Sequence, residues 1–234
     1  MVFLDRYING QCKEVWAELV AMGTIEDAEV LSDAQAVASE TMKRSRQNVE
    51  TIINRLMEMK YEFLYPTEIH IPPSTNVEEK LQAFEKLAGP LPLSLVYFYL
   101  YVGCVNLRGT HSSWFPDDYP DPLVIEPIDY FLDYGYQEWK EQNEKLEPKK
   151  RTKFRLALSP DMFHKGKASD SGKTYAMELP NDSVDGLFLE EWHKTTFVDY
   201  LRDVFKWGGF PGFKRSAHPP MDFVTKLAEG LQTI

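Results

Sequence analysis

One segment of the chain restricts the possible folds more than any other, because it predicts a helix that has no polar face. It covers residues 89–106, with the sequence Gly-Pro-Leu-Pro-Leu-Ser-Leu-Val-Tyr-Phe-Tyr-Leu-Tyr-Val-Gly-Cys-Val-Asn. Pro92 suits the first turn of a helix, the run from Leu93 to Val102 is apolar on nearly all sides, and Gly103 ends it. Such a helix is stable in water only when other elements cover it on several sides. A chain of 234 residues is long enough to supply them.

The remaining patterns predict an α+β fold, with a mainly antiparallel sheet packed by helices. Short apolar or alternating runs that are bounded by turn residues predict strands. They are Val105–Leu107, Leu123–Glu126, Phe154–Leu158, Thr174–Leu179 and Gly186–Leu189. These runs lack the regular alternation of strand and helix that a parallel sheet requires, so we expect antiparallel pairing.

Helical periodicity predicts several helices around these strands. A capping box of Thr75 and Glu78 opens a short helix ahead of residue 89. An apolar stripe at Ile128–Trp139 predicts a helix whose other face is acidic, and a near-ideal stripe marks one more at Phe197–Phe205. We expect the aromatic and glycine residues of 207–213 to cap this last helix and to fill the edge of the core.

The first sixty residues predict a helical hairpin that precedes the sheet. A stripe from Phe3 to Leu19 predicts one helix, and a capping box at Ser32 predicts a second that runs to Lys60. Because a hairpin alone buries little surface, we expect it to dock on the rest of the chain. The proline-rich connector after it places the boundaries: an N-terminal helical extension at 1–66, an α+β domain at 67–215 and a helical tail at 216–234.

The order of these elements resembles the SUKH superfamily. The residues that carry the resemblance extend over about 75–213: Leu91-Pro92, the aromatic helix that ends at Gly103, a loop with Trp114, the hairpin Gly172–Leu179, Gly186-Leu187-Phe188-Leu189 and the helix opening Thr196–Leu201. The family often has Asn-Gly after the aromatic helix, where this chain has Val102-Gly103-Cys104. The glycine that makes the turn is therefore kept.

The resemblance implies a protein without catalytic activity that binds another protein. Bacterial SUKH members are largely immunity proteins against toxins, often nucleases, and fungal members regulate cell-wall synthesis. We therefore expect an immunity protein that covers a toxin's active surface. One alternative is a regulatory scaffold assembled through the N-terminal helices. Another is a hydrolase whose carboxylates are brought together by the fold.

The charge distribution indicates which kind of partner to expect. The net charge is −10, which argues against nucleic acid as the main partner, because duplex binding relies on basic groups. Residues 117–147 hold ten acidic side chains against Lys140 and Lys145, while residues 148–177 have a net charge of +6. The two segments are either solvated faces that partly neutralise each other, or the acidic one steers a basic protein partner.

The predicted binding residues combine acidic and aromatic side chains from this region. We assign steering to the acids and anchoring to the aromatics, which are enriched at interface hot spots. The residues are Asp117, Asp118, Asp121, Glu138 and Glu141 for steering, with Trp114 and Tyr119 as anchors. The aromatic residues of this loop either form an exposed patch or fold onto the sheet.

No catalytic, cofactor-binding or metal-binding residue is predicted. Gly172-Lys173-Thr174 lacks the earlier glycine of a phosphate-binding loop, and the five histidines do not fall into a zinc spacing. Cys12 and Cys104 are too few for a disulfide scaffold, so we expect reduced thiols. No stretch approaches the roughly 18 apolar residues of a membrane span, and we expect a cytoplasmic protein that binds no membrane.

Overall fold

Helices and short antiparallel strands alternate irregularly in the computed structural model, which describes residues 2–115, 119–165 and 172–234. The helices are α1 (Val2–Ile8), α2 (Cys12–Ala21), α3 (Ala28–Glu58), α4 (Val77–Ala88), α5 (Leu93–Tyr101), α6 (Ile128–Tyr130), α7 (Tyr136–Glu144), α8 (Met162–Lys165), α9 (Phe197–Lys206) and α10 (Met221–Ala228). A π-helical turn at Phe131–Gly135 joins α6 to α7. The α+β class predicted from the sequence is confirmed.

The strands pair only in antiparallel fashion within the described residues. They are β1 (Glu62–Phe63), β2 (His70–Ile71), β3 (Cys104–Asn106), β4 (Gly109–Thr110), β5 (Val124–Ile125), β6 (Phe154–Ser159) and β7 (Tyr175–Leu179). β3 lies between β2 and β5, β6 pairs with β7, and β1 pairs with β4. The Glu126 N–H donates to the Leu158 carbonyl at 2.8 Å and so links the end of β5 to β6.

Helix α5 lies at the centre of the molecule, as its composition predicts. Ser94, Leu95, Phe98 and Tyr99 are buried, and the other side of the helix is half-buried. Helix α3 packs beside it, where the Ser39 hydroxyl donates to the Tyr101 hydroxyl at 2.9 Å. The aromatic helix is therefore covered by other elements rather than by solvent.

The N-terminal helices belong to the same hydrophobic core as the sheet. Buried side chains of α1, α2 and α3 form one cluster with those of α5, β6 and α9. Polar contacts also tie α3 to the last residues of the chain. Arg55 donates to the Leu227 carbonyl at 2.9 Å, and Asn48 donates to the Gln232 carbonyl at 2.9 Å. The N-terminal helices are thus docked on the body, as the sequence predicts.

The helix boundaries near the N-terminus differ from the prediction. The single helix expected from Phe3 to Leu19 is divided into α1 and α2 near Gly10. Gly10 has a φ of 95°, a conformation that glycine adopts readily and other residues rarely adopt. Helix α3 begins before Ser32, because the Asp27 side chain accepts hydrogen bonds from two N–H groups of its first turn.

The capping box predicted at Ser32 is not at a helix end, because Ser32 lies inside α3. The next residue, Asp33, caps a different helix. The Asp33 carboxylate accepts hydrogen bonds from the N–H groups of Phe3 at 2.8 Å and Leu4 at 3.1 Å, and so caps α1. The second predicted box also fails, since α4 has Asn76 at its N-cap without a side-chain bond.

The remaining differences fall near the end of the sheet. The strand expected at Gly186–Leu189 is reduced to isolated bridges, Leu187 with Thr196 and Leu189 with Ala176. The segment after α9 matches its prediction. Gly208 and Gly209 have positive φ and end the helix, while Phe210 and Phe213 are buried in the core.

Candidate protein-binding surface

Helix α7 presents two acidic side chains to solvent. Glu138 and Glu141 are exposed, and each carboxylate accepts a hydrogen bond from a side-chain amide, that of Gln142 at 3.2 Å and that of Gln137 at 2.9 Å. No lysine or arginine of the described residues forms an ion pair with either carboxylate. Both negative charges therefore remain available to an external partner.

The basic segment that follows folds back beside the end of this helix. Asn143 accepts a hydrogen bond from the Thr152 N–H at 2.9 Å, and Lys150 forms an ion pair with Glu147 at 3.1 Å. Arg151 donates to the carbonyl of Glu144 at 3.3 Å. Glu147 is thus paired with a lysine of the basic segment, whereas Glu138 and Glu141 in the middle of α7 are not paired with any described cation.

Two aromatic side chains outside the predicted set lie next to Glu138. A groove of about 270 Å³ between α7 and β6 is lined by Tyr130, Glu138 and Trp139, together with the basic residues Lys153 and Arg155. Tyr130 is 56% exposed, and the Trp139 ring packs against Phe154 at 5.3 Å. Tyr130 falls off the apolar stripe of its helix, which is the sequence signal that could have placed it on the surface.

The loop aromatics divide between core and surface. The Trp114 ring is half-buried and packs against Phe210, Phe213 and Phe223 at 5.1–5.4 Å. This corrects its assignment as an exposed anchor, because those rings already cover it. Tyr119 is 41% exposed and contacts the Phe163 ring at 5.5 Å, which suits an anchoring role. The predicted Asp117 and Asp118 lie outside the described residues.

Asp121 is an interior residue, which corrects its assignment to an acidic surface. Its carboxylate forms an ion pair with Lys165 at 2.8 Å, and both side chains are fully buried. Tyr175 and Trp192 donate to the second carboxylate oxygen at 3.1 and 3.2 Å. Because its charge is compensated inside the protein, Asp121 does not take part in steering. The pair instead fixes the loop that holds Tyr119 against α8.

Burial dominates the electrostatics of this interior cluster. It lowers the pKa of Lys165, an effect that the neighbouring Asp121 opposes. It also raises the pKa values of Tyr175 and Tyr200. A buried lysine with a lowered pKa is a feature of some active sites. Here the side chain has no exposed surface, and its ion pair joins the loop of Asp121 to α8.

The predicted binding residues that the structure describes do not form one continuous site. Trp139, which lies beside Glu138, contacts the first residue of β6, and Tyr119 contacts Phe163 beyond the last residue of that strand. The strand between these contacts spans about 16 Å. The acidic helix and the exposed Tyr119 are thus at opposite ends of β6.

One buried carboxyl group makes stability depend on pH. Asp185 accepts hydrogen bonds from the Ser94 hydroxyl at 2.6 Å and from the Val198 N–H at 3.1 Å, and so caps α9 from outside the helix. Burial raises its pKa to about 6, although bonds from Ser94, Thr196 and Val198 oppose this effect. The folded protein therefore retains a proton that the unfolded chain, with its ordinary pKa of 3.8, has already lost.

We expect the free energy of unfolding to fall as the pH rises from about 4 to above 6, by about 3 kcal/mol from this group. Asp185→Asn keeps an acceptor for Val198 and cannot ionise, so this part of the pH dependence should disappear. Urea unfolding at about pH 4 and about pH 8 measures the effect. Asp182→Asn, an exposed residue of the same loop, is the control. An Asp185→Asn protein with the wild-type pH dependence would contradict the assignment.

The described residues include two free thiols but no group of side chains placed to bind a metal ion. Cys12 and Cys104 are free thiols, and burial raises the pKa of Cys104 to about 11. No group of three histidine, cysteine, aspartate or glutamate side chains in these residues is placed to hold a metal ion. None of the described helices combines the length and apolar character of a membrane span.

Comparisons with family models, with curated proteins and with solved structures find no match to this chain.

Proposed function

We propose that this chain is a non-catalytic protein-binding protein, an immunity protein that neutralises a nuclease-type toxin by covering its active surface. The observation that carries the proposal is the pair of exposed carboxylates on α7, Glu138 and Glu141, without a cationic partner among the described residues. A nuclease needs a basic surface to hold phosphates, and an acidic helix is complementary to it. The resemblance of the chain to the SUKH superfamily supports the same role.

The surroundings of α7 supply the apolar part of such an interface. Tyr130 is exposed, and the groove between α7 and β6 offers a recess beside it. Interfaces commonly combine a few aromatic anchors with a polar rim. Tyr130 would serve as the anchor and the two glutamates as the rim that steers the partner. Tyr119 remains a candidate for a second contact at the far end of β6.

The scaffold alternative receives less support from the fold. It requires N-terminal helices that are free to assemble with other copies or proteins. Buried side chains of α1, α2 and α3 instead belong to the common core. This packing argues against a separate assembly unit at residues 1–60.

Reversing the charge of α7 tests the proposal. The partner is first identified by affinity purification of the tagged chain from its native host at low and moderate salt, followed by mass spectrometry. We then expect the double variant Glu138→Lys with Glu141→Lys to slow association by roughly tenfold or more, because charged surfaces accelerate encounter by about 10- to 1,000-fold. Stopped-flow association rates at several salt concentrations give the measurement, with a weaker salt dependence expected for the variant.

The control makes the same change of net charge elsewhere. Glu26 and Glu58 are exposed and make no hydrogen bond or ion pair with the described residues, so Glu26→Lys with Glu58→Lys should associate at nearly the wild-type rate. We expect the partner to contain a basic nuclease domain, and we expect the chain to inhibit the activity of that domain. An unchanged rate for the α7 variant would remove this helix from the interface, and a cell-envelope partner would favour the scaffold.

A further inference from the structure

A second surface of the molecule differs in charge from α7. Three depressions, of about 430, 450 and 570 Å³, lie along α9, and Lys13 and Arg202 line all of them. Because they share these two side chains, the three depressions are neighbours on the surface. We call them together the α9 groove. Each has the volume of a typical ligand site.

The groove is basic, although the protein as a whole is acidic. Its charged rim holds four cations, Lys13, Arg202, Lys206 and Lys214, against the carboxylates of Asp199 and Asp203. A third carboxylate, Asp185, lies in its floor with its hydrogen bonds already filled by donors of the core. The exposed charges of the groove thus have the sign opposite to the net charge of −10.

The carboxylates of the rim are already compensated, whereas two of the cations are not. Asp199 pairs with Arg202 at 2.6 Å, and Asp203 pairs with Lys214 at 3.1 Å. Lys13 and Lys206 are exposed and have no hydrogen-bond or ion-pair partner among the residues that the structure describes. The unpaired charge of the groove is therefore positive and is complementary to an anionic partner.

Arg202 holds the elements around the groove in fixed positions. Its guanidinium donates to the backbone oxygens of Ile234 at 2.8 Å and Cys12 at 3.1 Å, in addition to its pair with Asp199. These contacts hold α2, α9 and residue 234 together. Lys13 and Lys206 therefore lie on a rigid surface, so that a partner would not have to order the backbone around them.

The length of α9 and the apolar residues beside it favour an extended chain over a compact anion. Helix α9 has ten residues and a length of about 15 Å, which matches four or five residues of extended peptide. One wall is apolar and consists of Trp16, Ala17, Val20 and Ala21 from α2. Asp199 and Asp203 would repel closely spaced phosphates, whereas single carboxylates set between apolar side chains can avoid them.

We propose that the α9 groove binds an extended peptide segment of a partner protein, with carboxylate side chains placed at Lys13 and Lys206 and apolar side chains against α2. The partner segment is thus acidic and apolar in alternation. This site lies on a different surface from α7 and does not depend on the proposed immunity function. It gives the chain a second protein contact with the opposite charge preference.

The test uses a defined peptide on the full chain. The probe is a fluorescein-labelled, end-capped peptide of three Glu-Leu repeats, and the same peptide with Gln in place of Glu is its neutral counterpart. Fluorescence anisotropy should show saturable, salt-dependent binding of the acidic probe and at least tenfold weaker binding of the neutral one. The variant Lys13→Glu with Lys206→Glu should weaken binding of the acidic probe by tenfold or more.

Controls separate a specific groove from general charge. Lys86→Glu with Lys153→Glu changes the net charge equally at exposed lysines outside the groove and should leave affinity within about twofold, as expected for distant surface charges that salt screens. An equal loss in this control, or no binding to the wild type at millimolar protein, would overturn the proposal. Displacement of the probe by inorganic pyrophosphate at lower concentration than by unlabelled peptide would also overturn it, in favour of a phosphate site.

Discussion

Replacement of Lys165 by methionine is expected to lower the free energy of unfolding by about 3 to 5 kcal/mol, which is the usual cost of leaving one member of a buried ion pair alone. Methionine has a similar volume but no charge, so the Asp121 carboxylate would remain buried with only the donors of Tyr175 and Trp192. The double variant Lys165→Met with Asp121→Asn should regain most of the loss. Asparagine keeps an acceptor, and it tolerates the positive φ of 47° at this position.

Urea unfolding of the two single variants and the double variant measures the coupling between the two side chains. The chain offers a matched control in the pair Arg46 and Glu50, which has the same 2.8 Å separation but lies at the surface. Arg46→Met should cost less than about 1 kcal/mol, because solvent screens exposed pairs. If Lys165→Met were no more costly than Arg46→Met, the Asp121–Lys165 pair would have to be hydrated, and its role in fixing the Tyr119 loop would be lost.

Gly103→Ala is expected to destabilise the protein by more than its backbone conformation alone explains. Gly103 has a φ of 89°, and an added Cβ would lie 2.2 Å from the Ile71 carbonyl oxygen, where β2 pairs with β3. Strained backbone costs about 1 to 3 kcal/mol, and overpacking adds a similar amount. The sum is a large part of the stability of an ordinary domain, about 5 to 15 kcal/mol.

Gly10→Ala separates these two contributions. Gly10 has nearly the same φ, 95°, but a Cβ there would meet no atom within 4 Å. This variant should show the cost of the backbone conformation alone, while Gly103→Ala should also show the clash. Denaturant midpoints of both proteins give the comparison. Equal losses would mean that β2 can move away from α5 at little cost.

The parts of the fold that the sequence predicts are those that depend on residues close together in the chain. The Pro92 start, the apolar run and the Gly103 stop of α5 lie within a dozen residues, and the structure places each of them as expected. The same holds for the stripe of α9 and the glycines after it. Periodicity and helix-ending residues act locally, so one sequence is enough to recognise them.

The misassigned residues depend on partners that are distant in the chain. Asp121 was placed on the surface with its acidic neighbours, but its partner Lys165 lies 44 residues away. Asp33, for which no role was predicted, caps a helix about 30 residues before it. No local pattern shows such pairings. Trp114 illustrates the same limit, because the rings that cover it come from residues 210–223.

The contacts between α3 and the end of the chain also set the order in which the molecule can fold during synthesis. Arg55 and its carbonyl partner at Leu227 are 172 residues apart, and Asn48 and Gln232 are 184 apart. At ribosomal rates of 5–20 residues per second, α3 emerges roughly 10 to 30 seconds before those partners exist. The apolar stripe of α3 is therefore partly uncovered on nascent chains of intermediate length, and we expect these chains to be prone to association.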